Sequence, residues 1–347
     1  MKVRYILLAL SVLWATFATA QEPLHESVLV PQENEATEME SIDEALSLSR
    51  LDSMLVAWSV RHSEVVKEQM LNPFIDVDTV DLPAGDIPDS VYVARLEAIG
   101  SAIPMSYNEV VRKYIISYTT RHRAHISRIL GRSLYYFPIF EQELDAQGLP
   151  LELRILPVIE SSLIPKARSK VGASGLWQFM YNTGKGYGLE VTSFIDQRFD
   201  PILSTKAACR HLKYLYNMYG DWNLALAAYN CGAGKVNKAL KRIGGKGGFW
   251  DIYPYLPSET RGYVPAFIAT LYAYHYHSLH GIEPESEHLP LATDTLHIGR
   301  IMHLEQITST IGTPIEVLRA LNPQFKQDVI PAVRGRSYDI VLPLSEI

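Results

Sequence analysis

A single carboxylate interrupts an otherwise apolar run at residues 156–163, LPVIESSL. On a helical reading, Leu153, Leu156 and Leu163 share a face with this carboxylate, Glu160. A low-dielectric environment disfavours the charged form of a carboxyl group and raises its pKa. The stretch therefore predicts a helix that carries a glutamate with a retained proton at the edge of an apolar core.

Such a glutamate can act as the general acid that cleaves a glycosidic bond. Ordinary glycoside hydrolases add a second carboxylate, and the chain has none from Ser161 to Leu189. The plainer alternative is a solvated glutamate at a helix end, because charged side chains are mostly exposed. Pro157, read as lying inside the helix, predicts a kink three residues before Glu160.

Two motifs follow in the chain. Residues 169–180 read SKVGASGLWQFM, with glycines where the backbone turns tightly or admits a ligand. Residues 227–232 read AAYNCG and end a helical pattern at a glycine suited to capping it. With Glu160-Ser161 before them, the GLWQ and AYN runs resemble the catalytic domain of the family 1 lytic transglycosylases.

Flanking segments at 107–109, 136–141 and 256–265 are similar to the membrane-bound lytic murein transglycosylase D branch of that family. The resemblance covers roughly residues 100 to 280. It implies a mainly α, lysozyme-like domain that cuts peptidoglycan, with Glu160 as the catalytic residue. The substrate-binding residues implied by motif position are Ser169, Gln178, Tyr229, Asn230, Glu259 and Tyr263.

Composition is that of an exported globular protein. The chain has 347 residues, 47% hydrophobic and 20% charged, which is enough for about two domains with a buried core. Its formal net charge of −6 argues against a nucleic-acid partner. The resemblance implies peptidoglycan glycan strands as the partner and no cofactor, and we expect a monomer.

The first residues have the pattern of a removed export signal. Lys2 and Arg4 precede an apolar stretch at 5–17, which is followed by the small-residue cleavage pattern ATA at 18–20. The apolar stretch is short for a membrane-spanning helix, which needs about 20 residues. We therefore predict a signal peptide at 1–20 and export to the periplasm of a Gram-negative bacterium. No cysteine precedes Cys209, so the lipid-attachment cysteine of many relatives is missing and membrane association stays open.

Three further segments complete the predicted organisation. Residues 21–99 form a helical N-terminal extension, an acidic spacer with an amphipathic pattern at 41–69, and residues 100–283 form the catalytic domain. Residues 291–347 faintly resemble a LysM sugar-binding module, with a strand, two helices and a closing strand. The usual Gly-Asp-Thr-Leu start is replaced by IMHL at 301–304, so a purely structural α+β segment is the alternative.

The two cysteines leave a disulfide open. Cys209 and Cys231 each stand 11 residues from Gly220, the predicted turn of a helical hairpin (220 − 209 and 231 − 220). Residues equidistant from such a turn lie opposite each other, so a bridge is geometrically conceivable in an oxidising compartment. Two buried thiols are the equal alternative. No metal site is expected, because no paired Cys or His-Glu-x-x-His spacing is present.

Overall fold

The computed structural model describes residues 75, 80, 87–286, 289–333 and 335–344. The predicted signal peptide and amphipathic segment lie outside these residues. Of the predicted spacer, the end is described, and there helix α1 (Asp89–Ala98) packs Tyr92 and Leu96 into the main core. The domain boundaries stay predictions.

Helices dominate the described chain, which confirms the predicted fold class. The helices after α1 are α2 (Glu109–Thr120), α3 (Arg123–Ala146), α4 (Leu156–Ser161), α5 (Tyr181–Gly186), α6 (Pro201–Tyr219), α7 (Trp222–Cys231), α8 (Ala233–Arg242), α9 (Phe249–Ile252), α10 (Ser258–Tyr276), α11 (Leu304–Ile311) and α12 (Ile315–Leu321). Short 3-10 helices cover Leu151–Ile155, Tyr253–Tyr255 and His277–His280. None of the described helices has the length and apolar character needed to cross a bilayer.

Helix α10 lies at the centre of the core. Its sequence is apolar on nearly all sides, a pattern typical of a helix surrounded by protein. Val264, Phe267, Ile268 and Leu271 are fully buried. Because α10 packs against α2, α4 and α7, the short helix that carries Glu160 rests directly on the buried centre of the core.

Helix α4 differs from its prediction in two respects. It begins directly after a 3-10 helix, and Pro157 lies in its first turn, where the missing N–H has no intrahelical partner to lose. The predicted kink inside a longer helix is therefore wrong. The helix ends at two left-handed residues, Ser162 (φ 53°) and Leu163 (φ 57°), so Leu163 is buried beside the helix rather than on its face.

Helices α6 and α7 form the predicted hairpin around Gly220, whose φ of 62° is in the left-handed region. Asp200 caps the start of α6 by accepting hydrogen bonds from the Ile202 and Leu203 N–H groups at 2.9 and 2.8 Å. Asp221 caps α7 by the same kind of bond. These caps fix the start of each helix, and the hairpin brings Tyr229 back toward the core.

The disulfide considered from the sequence is not formed. Cys209 is buried, Cys231 is half-buried, and both thiols are free. Equal distance from the turn does not set the direction in which a helical side chain points. The surroundings of the Cys209 thiol include the charge of Glu143 on α3, whereas those of the Cys231 thiol include Thr260 on α10.

The C-terminal segment is a small α+β unit. Strand β1 (Thr293–Ile298) pairs antiparallel with β4 (Tyr338–Pro343), and β2 (Met302–His303) pairs with β3 (Val329–Ile330). Helices α11 and α12 lie between β2 and β3 in the chain, which matches the predicted order of a strand, two helices and a closing strand. The apolar faces of these helices and of β4 build a second core that includes Leu304, Leu318 and Ile340.

This second core also takes in a residue from the helical domain. Ile195 is fully buried in it and forms an antiparallel bridge with Phe325. The Asp196 N–H donates to the Gln324 carbonyl at 2.9 Å, and the Lys326 N–H donates to the Phe194 carbonyl at 2.8 Å. The segment is therefore joined to the helical domain by backbone pairing.

Candidate active site

Glu160 lies in the last turn of α4, half-buried, with its carboxyl group against the core. Burial raises its pKa from 4.5 to about 7, and the charge of Glu259 adds to this rise. A hydrogen bond from the Tyr263 hydroxyl to Glu160 Oε1, at 2.6 Å, acts in the opposite direction. The net result is a carboxyl group that can both give and take a proton near neutral pH.

Tyr263 is buried completely in α10, 103 residues away in the chain. In this structure the Tyr263 side chain has no exposed surface, and its hydroxyl contacts Glu160. Its assignment to substrate binding stays a prediction. The contact with Glu160 follows from the packing of α4 on α10, which the motif pattern alone does not define.

Tyr229 and Asn230 bring the end of α7 to the same place. The Tyr229 hydroxyl donates to the Trp177 carbonyl at 2.8 Å, and the pKa of Tyr229 is raised well above its ordinary value, first by burial and then by the charge of Glu160. Asn230 Oδ1 accepts a 2.7 Å hydrogen bond from Thr260 on α10. Both residues therefore tie α7 to the surroundings of Glu160.

The loop at 169–180 is attached to α4 through the residue after Glu160. The Ser161 hydroxyl reaches the Leu176 carbonyl at 2.9 Å. Gln178 has a positive φ of 49°, and its amide donates to the Gly175 carbonyl at 2.9 Å. Ser169 Oγ accepts the Ala173 N–H at 3.0 Å.

The described residues include no hydrogen bond from Ser169 or Gln178 to Glu160. In this structure their polar groups hold the loop in shape. Ser169 and Gln178 both remain half-exposed, and Glu259 at the start of α10 is exposed. The structure thus groups Tyr229, Tyr263 and Glu259 around Glu160 and places Ser169 and Gln178 in the adjoining loop.

An ion-pair cluster that the sequence analysis missed supports this loop from behind. Asp196 and Arg198 are fully buried, and Arg198 Nη2 lies 2.7 Å from Asp196 Oδ2. Arg168 Nη2 lies 3.5 Å from the same oxygen. Arg198 Nη1 also donates to the carbonyls of Gly172 and Phe179 at 3.0 and 3.2 Å, which joins the two sides of the loop.

Gly175 shows how closely the loop packs on this cluster. Its φ is +84°, and a Cβ built on it would lie 1.8 Å from the Arg198 carbonyl oxygen. No side chain fits in that space. The glycine of the GLWQ motif is therefore required because the Arg198 backbone lies so close to it. The spacing of residues in the sequence does not reveal this contact.

Another missed residue lies behind Tyr229. The His211 ring is 5.4 Å from the Tyr229 ring, and His211 Nδ1 lies 2.9 Å from the Tyr187 hydroxyl. Burial lowers the pKa of His211 to about 4, so its imidazole is neutral near neutral pH. It supports the tyrosine without adding a charge beside Glu160.

Three histidines whose spacing in the sequence approaches that of metal ligands, His125, His277 and His280, form hydrogen bonds within the protein. His125 Nε2 lies 3.1 Å from Ser162 Oγ, His277 Nδ1 lies 2.7 Å from the Ile282 carbonyl, and His280 Nε2 lies 3.0 Å from the Tyr272 hydroxyl. Over the part of the chain that the structure describes, no group of three or more His, Cys, Asp or Glu side chains is placed to hold a metal ion.

Comparison with known proteins gives two matches to family models. Residues 137–249 match the transglycosylase SLT domain, which includes Glu160 and the GLWQ and AYN motifs. Residues 292–347 match the LysM-like domain of lytic transglycosylase MltD, which confirms the resemblance of the C-terminal segment.

Individual relatives agree with these matches. Membrane-bound lytic murein transglycosylase D of Escherichia coli K12 is 30% identical over 249 residues, 70% of this chain and 54% of the relative. Soluble lytic murein transglycosylase of the same strain is 35% identical over 152 residues, 41% of this chain and 23% of the relative. The chain thus spans about half the length of the first of these relatives, or less for the second.

A solved structure is also similar. The 70 kDa soluble lytic transglycosylase of E. coli aligns with 18% sequence identity and a TM-score of 0.38 over 65% of this chain and 46% of that one.

Proposed function

Because this chain carries a transglycosylase SLT domain followed by a lytic transglycosylase D LysM-like domain, we propose that it is a peptidoglycan lytic transglycosylase. It cleaves the β-1,4 bond between N-acetylmuramic acid and N-acetylglucosamine without water. The product is a 1,6-anhydromuramic acid end, formed during remodelling or turnover of the cell wall.

The raised pKa of Glu160, with a neutral tyrosine as its hydrogen-bond donor, is the observation that carries the proposal. A carboxyl group with a pKa of about 7 holds its proton in a substantial fraction of molecules at neutral pH. In the first step Glu160 gives that proton to the glycosidic oxygen. The bond from that oxygen to the muramic C1 then breaks, and positive charge develops on the sugar.

In the second step the Glu160 carboxylate takes the proton of the muramic C6 hydroxyl. The C6 oxygen attacks C1 of the same sugar and closes the anhydro ring, so no water is consumed and Glu160 regains its proton. Attack within one sugar has a high effective molarity. One carboxyl group therefore suffices for both steps.

Neighbouring residues support these steps. Tyr263 positions the Glu160 carboxyl, and Tyr229 and Asn230 form the adjacent wall of the cleft. Ser169 and Gln178 shape the loop that receives the acetamido group of the sugar. Glu259, exposed at the start of α10, contacts the glycan or its peptide.

The protein acts after export, in the periplasm, as a monomer on glycan strands. The C-terminal unit binds the same strands and keeps the helical domain on the polymer. Its match to a LysM-like family model supports this division of labour. No cofactor is required by the two proton transfers.

A lysozyme-type hydrolase is the second candidate. One observation favours it: the charge of Glu259 reaches Glu160, so a second carboxylate lies near the site although none is close in the chain. Glu259 would then activate a water, and the product would be an ordinary reducing end.

Product analysis distinguishes the two candidates. Purified peptidoglycan is digested with the protein and the muropeptides are analysed by mass spectrometry beside a lysozyme digest. The proposed function requires products that are lighter than the lysozyme products by one water. A digest containing reducing muramic ends and no anhydro ends contradicts it and supports the hydrolase.

A further inference from the structure

Helix α8 presents a strongly basic face on an otherwise acidic protein. The chain has a net charge of −6, yet α8 has the sequence AGKVNKALKR, with four cations and no carboxylate. Val236 and Ala239 turn inward and are buried, whereas Lys235, Lys238 and Lys241 are exposed. We call the exposed side chains of Lys235, Lys238, Lys241 and Arg242 the basic face.

The lysines of this face have no ion-pair partner among the residues that the structure describes. Among the described residues, no carboxylate lies within salt-bridge distance of Lys235, Lys238 or Lys241. Elsewhere on the surface lysines do find such partners, as Lys113 does with Glu109 at 3.1 Å. The Arg242 guanidinium lies over the Tyr255 ring, 5.7 Å from its centroid, and it has no carboxylate partner in the described part of the chain.

The basic face lies beside the candidate active site. Helix α8 follows α7 directly, at Gly232. The Cys231 thiol is influenced by the charges of both Lys235 and Glu259, and Glu259 in turn influences Glu160. Tyr255, beneath Arg242, comes just before α10. The face therefore lies on the helix that directly follows the Tyr229–Asn230 end of α7, next to the surroundings of Glu160.

We propose that the basic face of α8 docks the anionic peptides attached to the glycan substrate. This inference rests on the proposed function, because it assumes a peptidoglycan substrate. The uncharged hydroxyl and acetamido groups of the sugars offer nothing for four cations to recognise. The carboxylates of the attached peptides do, and a cluster of cations beside the cleft raises the rate of encounter with such a polymer.

Pelleting with insoluble peptidoglycan tests the proposal on the full chain. We expect Lys238→Glu/Lys241→Glu to weaken binding by about 10-fold at 20 mM salt and to have little effect at 1 M salt, where the Debye length falls to about 3 Å. The matched control is Lys185→Glu/Lys213→Glu, which makes the same charge change at exposed positions on α5 and α6. It should bind within about 2-fold of the unaltered protein.

Two further substrates identify the ligand. Insoluble chitin, a polymer of N-acetylglucosamine that carries neither peptides nor carboxylates, should bind the unaltered protein and the double variant equally. Equal binding of both proteins to intact peptidoglycan overturns the proposal, and so does binding of the unaltered protein to chitin as strongly as to intact peptidoglycan. Binding to anionic phospholipid vesicles that the double variant alone loses also overturns it, because the face would then dock a lipid surface.

The proposed function is tested separately in the same samples, by measuring the release of anhydro ends. Anhydro ends released by the unaltered protein from intact peptidoglycan report the reaction whatever the binding result. Their absence rejects the proposed function. Their presence, together with equal binding of the variant, rejects the docking role alone.

Discussion

Two carboxylates of this protein, the half-buried Glu160 and the fully buried Asp196, have opposite surroundings. Asp196 faces two guanidinium groups, with Arg198 Nη2 at 2.7 Å and Arg168 Nη2 at 3.5 Å. Glu160 faces a neutral phenol, and its pKa rises to about 7 through burial. Burial alone therefore does not decide what a carboxylate does. The Asp196 region uses its charge to hold a loop, and the Glu160 region keeps a proton available for transfer.

Removing the Asp196 carboxylate should have the largest effect. Asp196→Ala leaves two buried guanidinium groups without their counter-charge, which costs about 3–5 kcal/mol in the free energy of unfolding. Urea unfolding followed by circular dichroism measures this loss. The control is Glu109→Gln, which breaks the exposed pair with Lys113 and should cost less than about 1 kcal/mol. Similar losses for both variants would show that the buried cluster is not special.

Glu160→Gln tests the other side of the comparison. The amide keeps the size and hydrogen bonding of the side chain but has no proton to transfer, so activity should fall by at least ~100-fold. Release of muropeptides from peptidoglycan measures the fall, and the melting temperature should not decrease. Turnover within a few-fold of the unaltered protein would place the chemistry on another residue.

The stability of Glu160→Gln relative to the unaltered protein should increase with pH. The folded pKa of Glu160 is about 7 against an ordinary 4.5, so between these values the folded state binds a proton that the unfolded state has lost. Stability of the unaltered protein therefore decreases as pH rises through this window. Relative to it, Glu160→Gln should gain about 1–3 kcal/mol between pH 4 and pH 8 in urea unfolding. A constant difference across that range would contradict the raised pKa.

Tyr263→Phe should produce the smallest effect. The Tyr263 hydroxyl lowers the pKa of Glu160, so its removal raises that pKa further and moves the alkaline limb of the pH–rate profile upward, by about one unit or less. The rate at the optimum should fall several-fold, because the carboxyl loses its orienting partner. Cys209→Ala, elsewhere in the core, is the control and should leave the limb in place. If the alkaline limb of Tyr263→Phe also stays in place, the Tyr263 hydroxyl does not set the pKa of Glu160.

The isolation of Glu160 could be predicted because it is a local property of the chain. The apolar run around Glu160 is visible in the sequence, and the hairpin around Gly220 also depends on residues close in sequence. Tyr263 and Arg198 act across long separations, through helices packed on each other and a carbonyl pressed against Gly175. No periodicity encodes such contacts.

Residues near a motif were also harder to interpret than the motif itself. Pro157 was predicted to kink a long helix, and it begins a short one because a 3-10 helix precedes it. Cys209 and Cys231 are symmetric about the turn but point to different helices. The sequence did not determine where the helix of Pro157 begins, and it did not determine the direction in which each cysteine points from its helix.

The placement of Ile195 has a consequence for anyone who would cut or recombine this gene. Cutting the chain within residues 284–290 would expose Ile195 on the helical fragment. It would also remove an interior residue from the core of the C-terminal fragment. Exposing such a side chain costs about 1.5–3 kcal/mol. Chimeras that exchange the C-terminal unit should therefore also exchange residues 192–197, because these residues pack into the core of that unit although they are distant from it in the chain.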